Sequence, residues 1–172
     1  MVEKIVATIV GLFAGLGSIP FGKELIVFMI SLMPILELRG GLIAASLLGL
    51  DPIRSYIISI IGNIIPVPFI LWLINYILDW MRRSKRFKKV AKWLDKKVDK
   101  HKGQIEKYGF IGLILFVGIP LPGTGAWTGC LIASVLEMDR KKAFIAALIG
   151  IFIASIIMMF LSFGLLKYII GG

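Results

Sequence analysis

Apolar positions fill four regions of this chain, 5–20, 25–50, 55–78 and 108–170, and polar residues collect between them. Two runs, 55–78 and 143–170, hold 24 and 28 residues. At about 1.5 Å per residue each exceeds a hydrocarbon core of roughly 30 Å, so each is predicted to be a spanning helix. The run 25–50 is different: charge and glycine divide it into 25–36 and 40–50, pieces that reach only about half that depth. Its counterpart is GIPLPGTGAWTG at 118–129, with two prolines and four glycines in twelve residues. Proline removes a backbone donor and clashes one turn back, and glycine weakens what remains, so no continuous helix survives there. Both broken runs are predicted to be re-entrant helical hairpins, with breaks near 37–41 and 120–125. Irregular backbone at that depth is tolerated only where protein or a watery cavity covers it. Residues 5–20 are read as a retained N-terminal helix rather than a cleaved signal, because no small-x-small site follows them.

The chain also repeats itself. Residues 25–65 align without gaps on 113–153, with 13 identities in 41 positions. Apolar composition alone produces matches among Ile and Leu. It does not so readily pair Phe28 with Phe116, Pro34 with Pro122, Gly41 with Gly129, Asp51 with Asp139 and Gly62 with Gly150. Each repeat reads as a broken run, a short charged turn and one long span. The single membrane domain 1–172 therefore divides into an N-terminal helix (5–20), repeat one (25–78), a connecting segment (79–107) and repeat two (108–170).

Composition supports the membrane reading: 58% of residues are hydrophobic and only 17% charged, against about a quarter charged in soluble domains. The charge is concentrated. Of 20 Lys and Arg, 12 lie within 79–107, against four acids, giving that segment +8 of the total +10. Phe87, Val90, Leu94, Val98 and Ile105 keep near-helical spacing there, with Trp80 and Trp93 close by. This predicts a basic amphipathic helix lying on anionic lipid headgroups rather than binding nucleic acid. Positive charge places 79–107 in the cytoplasm, together with Arg140, Lys141 and Lys142. The expected location is the plasma or inner membrane. On this topology the two hairpins open to opposite sides, an all-α inverted repeat of the kind found in secondary transporters. With so few spans to wall off irregular tips, a homodimer is expected.

Candidate chemistry sits in the breaks. Cys130 and His101 are each the only residue of their type, so no cysteine cluster, zinc site or His-based triad is available within one chain. No metal or cofactor is expected, and no nucleophile–base pair points to an enzyme. Glu37 and Arg39 stand in the middle of an apolar run, where a charge costs about 2.5–3.5 kcal/mol on insertion scales. On an unbroken helix they point nearly opposite ways; at a tip they are free to meet. Arg39, with backbone N–H groups near Gly40 and Gly41, suits a phosphate or carboxylate. The second tip offers Pro122, Gly123, Thr124, Gly125, Trp127 and Thr128: backbone donors, two hydroxyls and an aromatic face. Asn63, in the first span with Pro66 and Pro68, is expected to line the same cavity. Glu37 is the candidate proton carrier, since burial favours its neutral form and Arg39 its charged form. A Glu–Arg pair that merely pins the hairpin is the plainer reading.

ELRGG at 37–41, followed by PLPGTGAWTG at 120–129, resembles the small multidrug export proteins of prokaryotes, over nearly the whole chain. That family is distantly similar to the DedA (VTT) membrane proteins. The resemblance implies a transporter with Glu37, Arg39 and the 122–129 tip at its site. The expected function is therefore proton-coupled secondary transport of small or amphipathic anions. The alternative is a DedA-like translocase for polyprenyl phosphate or phospholipid.

Overall fold

A computed structural model describes residues 2–13, 15, 20–84, 88–121 and 123–165. These form eight α-helices and a closing π-helical stretch, with no strand among the described residues. In order they are α1 (Val2–Leu12), α2 (Gly22–Leu32), α3 (Glu37–Leu47), α4 (Pro52–Ile64), α5 (Pro66–Arg83), α6 (Lys88–Gly118), α7 (Ala126–Val135) and α8 (Arg140–Met159). The π-helical stretch is Phe160–Leu165. Two stretches are long and apolar enough to cross a membrane, Pro52–Ile74 and Arg140–Gly164, with mean hydropathies of 2.3 and 2.8.

Both predicted runs thus contain a helical stretch long and apolar enough to cross a membrane, with shifted bounds. Pro66 has no N–H to bond one turn back, and α4 gives way to α5 there, although Ile65 keeps right-handed helical backbone. Helix α5 continues through 79–83, residues expected to open the basic helix. The basic segment itself, 88–107, is helical and runs on to Gly109, whose φ of 53° and ψ of −122° break α6 before the apolar arm that follows. Of its expected apolar stripe, Ile105 is buried; the side chains of Phe87, Val90, Trp93, Leu94 and Val98 lie outside the described residues. Helix α1 begins at Val2, ahead of the expected 5–20 element, of which residues 14 and 16–19 lie outside the described residues.

The chain forms two compact units, Met1–Ile65 with Ile151–Gly172, and Pro66–Gly150. In the first, α2 packs on α3 and α4, α3 packs on α4, and α1 covers α3. Its core is Val6, Ile26, Val27, Ile30, Leu36, Ala44 and Ala45. Lys23 Nζ donates to the Leu48 carbonyl at 3.0 Å, tying the start of α2 to the end of α3. In the second unit α7 packs on both α5 and α6. Its buried residues include Val67, Leu71, Leu113, Val117, Ile132 and Ala147.

Each unit carries the same link from its short helix to its long one. The N–H of Leu50 donates to Ala45 O and that of Gly49 to Ser46 O, at 3.0 and 3.2 Å; Met138 to Ala133 O and Glu137 to Ser134 O repeat both distances. This pattern is a Schellman C-cap, which needs a left-handed residue. Gly49 supplies it at φ 65°, and Glu137 at φ 54° despite its side chain. Asp51 and Asp139 then accept from the N–H of Arg54 and Lys142, each at 2.9 Å, and so cap α4 and α8. The matched aspartates of the sequence repeat are helix starts.

Close packing explains the matched glycines. A Cβ on Gly62 would stand 2.9 Å from Ser31 Cβ and 3.0 Å from Phe28 O; one on Gly150, 2.6 Å from Val117 Cβ and 3.0 Å from Ile114 O. Ser31 therefore answers to Val117 and Phe28 to Ile114, 86 positions on, whereas Gly62 and Gly150 are 88 apart. The gapless alignment is two residues out of register in the first arms, because the connection 119–125 is longer than 33–36.

Gly62→Ala and Gly150→Ala are expected to lower stability by about 1–3 kcal/mol through overpacking. Gly103→Ala, on α6 with nothing within 4 Å of the added Cβ, should leave stability unchanged or raise it by up to about 1 kcal/mol. Thermal unfolding of the three variants in detergent checks the contrast.

Candidate functional site

The first unit builds its hairpin around Met33. A residue before proline is driven out of the helical region, and Met33 is extended at φ −71° and ψ 139°, so α2 stops ahead of Pro34. The chain turns over 33–36 and re-enters a helix at Glu37, whose N–H donates to Met33 O at 3.0 Å. Glu37 has φ 52°. A non-glycine residue in that left-handed region is uncommon and costs of order 1 kcal/mol. It also takes Glu37 off the regular helical spiral, which frees its side chain from the opposition that an ideal helix imposes on residues two apart. Arg39 is half-buried and interacts electrostatically with Glu37. Glu37 itself is only 5% exposed.

The break therefore falls at 33–36, ahead of the expected 37–41. Gly40 and Gly41 are not in the turn. They lie inside α3, buried against Leu36 and Ile30, and against Ser31 and Ser59, respectively. Their part is close approach: a Cβ on Gly41 would overlap Ser31 Oγ and come within 3.0 Å of Ser59 Oγ.

Asn63 belongs to this same unit. With Ser55 and Ser59 it forms a polar stripe at every fourth position of α4, and all three are buried. Ser55 Oγ donates to Asp51 O at 2.7 Å and Ser31 Oγ to Val27 O at 2.8 Å, so both are satisfied within their own helices. Ser59 Oγ and both amide atoms of Asn63 have no hydrogen-bond partner, at 0% and 1% exposure. Bare amides in an apolar interior cost several kcal/mol, so this seam is where a partner is wanted. Helices α3 and α4 are joined by the short link 48–51 and pack on each other, with Gly41 against Ser59. One turn back along α3 is Glu37, and one turn on along α4 is Asn63. Both Glu37 and the orphan carboxamide are buried, on helices that pack on each other. Ser31 and Ser59 were not singled out from the sequence; the four-residue spacing 55, 59, 63 within an apolar run was the available signal.

The second unit holds the other candidate residues, apart from Pro122, which lies outside the described residues. Its break, 119–125, agrees with the expected 120–125. Gly123 at φ 88° and Gly125 at φ 135°, ψ 179° take conformations that side chains rarely adopt. Thr124 does not offer its hydroxyl to a ligand. Its Oγ1 accepts from Leu121 N at 3.2 Å and lies 2.9 Å from the carbonyls of both Ile119 and Leu121, to which it donates. Trp127 is half-buried and Thr128 buried in the first turn of α7. The sequence candidates thus form two groups: Glu37, Arg39, Gly40, Gly41 and Asn63 in one unit, and 123–128 in the other.

A model of the family described as "Putative small multi-drug export protein" matches residues 37–157, from the first hairpin's charged turn to late in α8. No curated protein and no solved structure matches the chain. The similarity to DedA proteins gains no support from these comparisons.

Thr124→Ala should cost about 1–2 kcal/mol, since it removes one hydroxyl that both donates and accepts in the turn. Thr124→Ser, which keeps the hydroxyl, should lose less than half of that. Chemical denaturation of the two variants measures it.

Proposed function

This chain belongs to the small multi-drug export family, a family of membrane proteins, and from that premise we propose that it is a secondary transporter of small or amphipathic anions. We infer that it is coupled to protons through Glu37. The observation that carries the reading is the buried Glu37, which interacts electrostatically with Arg39, together with the buried, unpartnered Asn63 carboxamide on the helix packed against α3.

The chemistry follows from counting donors and acceptors. An ionised Glu37 only accepts, and Arg39 is its charged donor. A protonated Glu37 has one O–H and one carbonyl oxygen, which match the vacant Oδ1 and Nδ2 of Asn63. Protonation therefore shifts the carboxyl from Arg39 toward Asn63 and frees the guanidinium for an anionic group. Proton loss recaptures Arg39 and expels the anion. Substrate and proton thus bind together, which is the requirement for coupling. In this reading the α2–α3 hairpin is re-entrant. Its 11-residue helices, about 16 Å each, carry Glu37 to mid-membrane depth. The segment 79–107 faces the cytoplasm, where its basic residues anchor it on anionic headgroups.

Reconstitution into liposomes with a panel of organic anions, with and without a pH gradient, tests this. Glu37→Gln keeps the shape but cannot titrate. It should abolish gradient-driven accumulation while leaving substrate exchange and folding intact. Arg39→Lys should weaken anion binding about tenfold, because the planar five-donor fork is lost. If the pair only pins the hairpin, either single change destabilises the fold by about 3–5 kcal/mol and the double apolar variant restores it. A stable double apolar variant with full transport would overturn the assignment.

A further inference from the structure

The second unit contains a cavity of about 430 Å³ between α5 and the first turns of α8. Its walls are apolar, from Leu71 and Trp72 on one side and Phe144 and Ile145 on the other, and Arg140 and Lys141 stand at its edge. The volume is in the range that holds a small-molecule-sized group, roughly 300–1,000 Å³. It is independent of the Glu37 seam, which lies in the other unit.

The position of this cavity along the apolar stretches is informative. Arg140 is the first residue of the span Arg140–Gly164, and Trp72 lies two residues before the end of the span Pro52–Ile74. Arg140 therefore falls at the level where hydrocarbon meets headgroups, the depth that basic side chains favour, and Trp72 lines the same cavity. Phe144 and Ile145, about one turn further along α8, are some 6 Å deeper, among acyl chains. Cations thus sit at headgroup depth directly over an apolar slot at chain depth. Trp72 and Ile145 are exposed, so the slot is open to what surrounds the protein. The nearby acid, Asp139, caps α8 through Lys142 N, and its single negative charge is outweighed by Arg140 and Lys141, so the edge stays positive.

We propose that this cavity binds one anionic phospholipid. The acyl chain lies against Trp72, Leu71, Phe144 and Ile145, and the phosphate is held by Arg140 and Lys141. Charge complementarity selects the occupant. A zwitterionic lipid brings its own cation to the same place and gains little. A lipid with net negative charge gains about fivefold in affinity for each cation it meets near the surface.

Trp72 reports on the site directly. The purified protein is reconstituted in phosphatidylcholine vesicles containing a rising fraction of brominated phosphatidylglycerol or of brominated phosphatidylcholine, and tryptophan quenching is followed. The Trp72 component is obtained as the difference between the parent protein and Trp72→Phe. That component should be quenched at a lower fraction of the brominated anionic lipid, by fivefold or more. Arg140→Gln with Lys141→Gln should bring the two lipids to parity, and Arg140→Lys with Lys141→Arg should keep the preference. Equal quenching of Trp72 by the two lipids in the parent protein would overturn the proposal. So would a preference that survives the double Gln change, or one unaffected by Trp72→Phe.

Discussion

Helix approach at four glycines is the constraint on which the rest of this protein depends. In lipid there is no hydrophobic drive between apolar helices, so association relies on close van der Waals fit and on small residues that permit it. Gly41, Gly62, Gly129 and Gly150 meet that need, each with atoms of a neighbouring helix where a side chain would otherwise begin. In the first unit, Gly41 and Gly62 let α3 and α4 both close on Ser31 of α2. In the second, Gly129 and Gly150 let α7 and α8 close on Val117 of α6. Much larger side chains at these positions would separate the helices and take the polar seam apart.

What that close fit encloses differs between the units. Around Val117 the contact is apolar, with Leu113, Phe116 and Ile114 as neighbours, and it reads as packing. Around Ser31 the equivalent contact is polar. Ser31, Ser59 and Asn63 bring hydroxyls and a carboxamide into an interior that burial has otherwise cleared of water. Such groups are retained at a cost in stability, since apolar residues of similar volume would pack there without unmet hydrogen bonds. That seam belongs to the same unit as the buried Glu37.

Three non-glycine residues among those described take left-handed backbone, Phe21 before α2, Glu37 and Glu137. Of the two glutamates, one opens α3 and the other closes the link after α7. Their reasons differ. Glu137 completes a Schellman cap whose counterpart in the first unit uses Gly49, so its strain is offset by two backbone hydrogen bonds. Glu37 carries its strain at a buried ionisable residue at the start of α3.

The sequence by itself determined the elements. Run lengths decided which helices are long enough to cross a membrane, because the rise per residue is fixed. Pro34 and the Gly-Pro cluster at 118–125 decided that two helical breaks occur, because proline forbids helix in the residue before it and denies a donor after it. The 88-residue repeat marked the paired glycines and aspartates. The family was legible in two short motifs, ELRGG and PLPGTGAWTG. Only the tertiary structure decided the rest. It moved the first break ahead of Glu37, placed Gly40 and Gly41 within a helix, and turned the Thr124 hydroxyl inward. It showed the first arms two residues out of the gapless register, because turn length leaves hydrophobic periodicity unchanged. Above all, it buried Glu37 and Asn63 on two helices that pack on each other. Residues 26 positions apart on separate helices meet or miss according to crossing and register, and those depend on which small residues let the backbones approach.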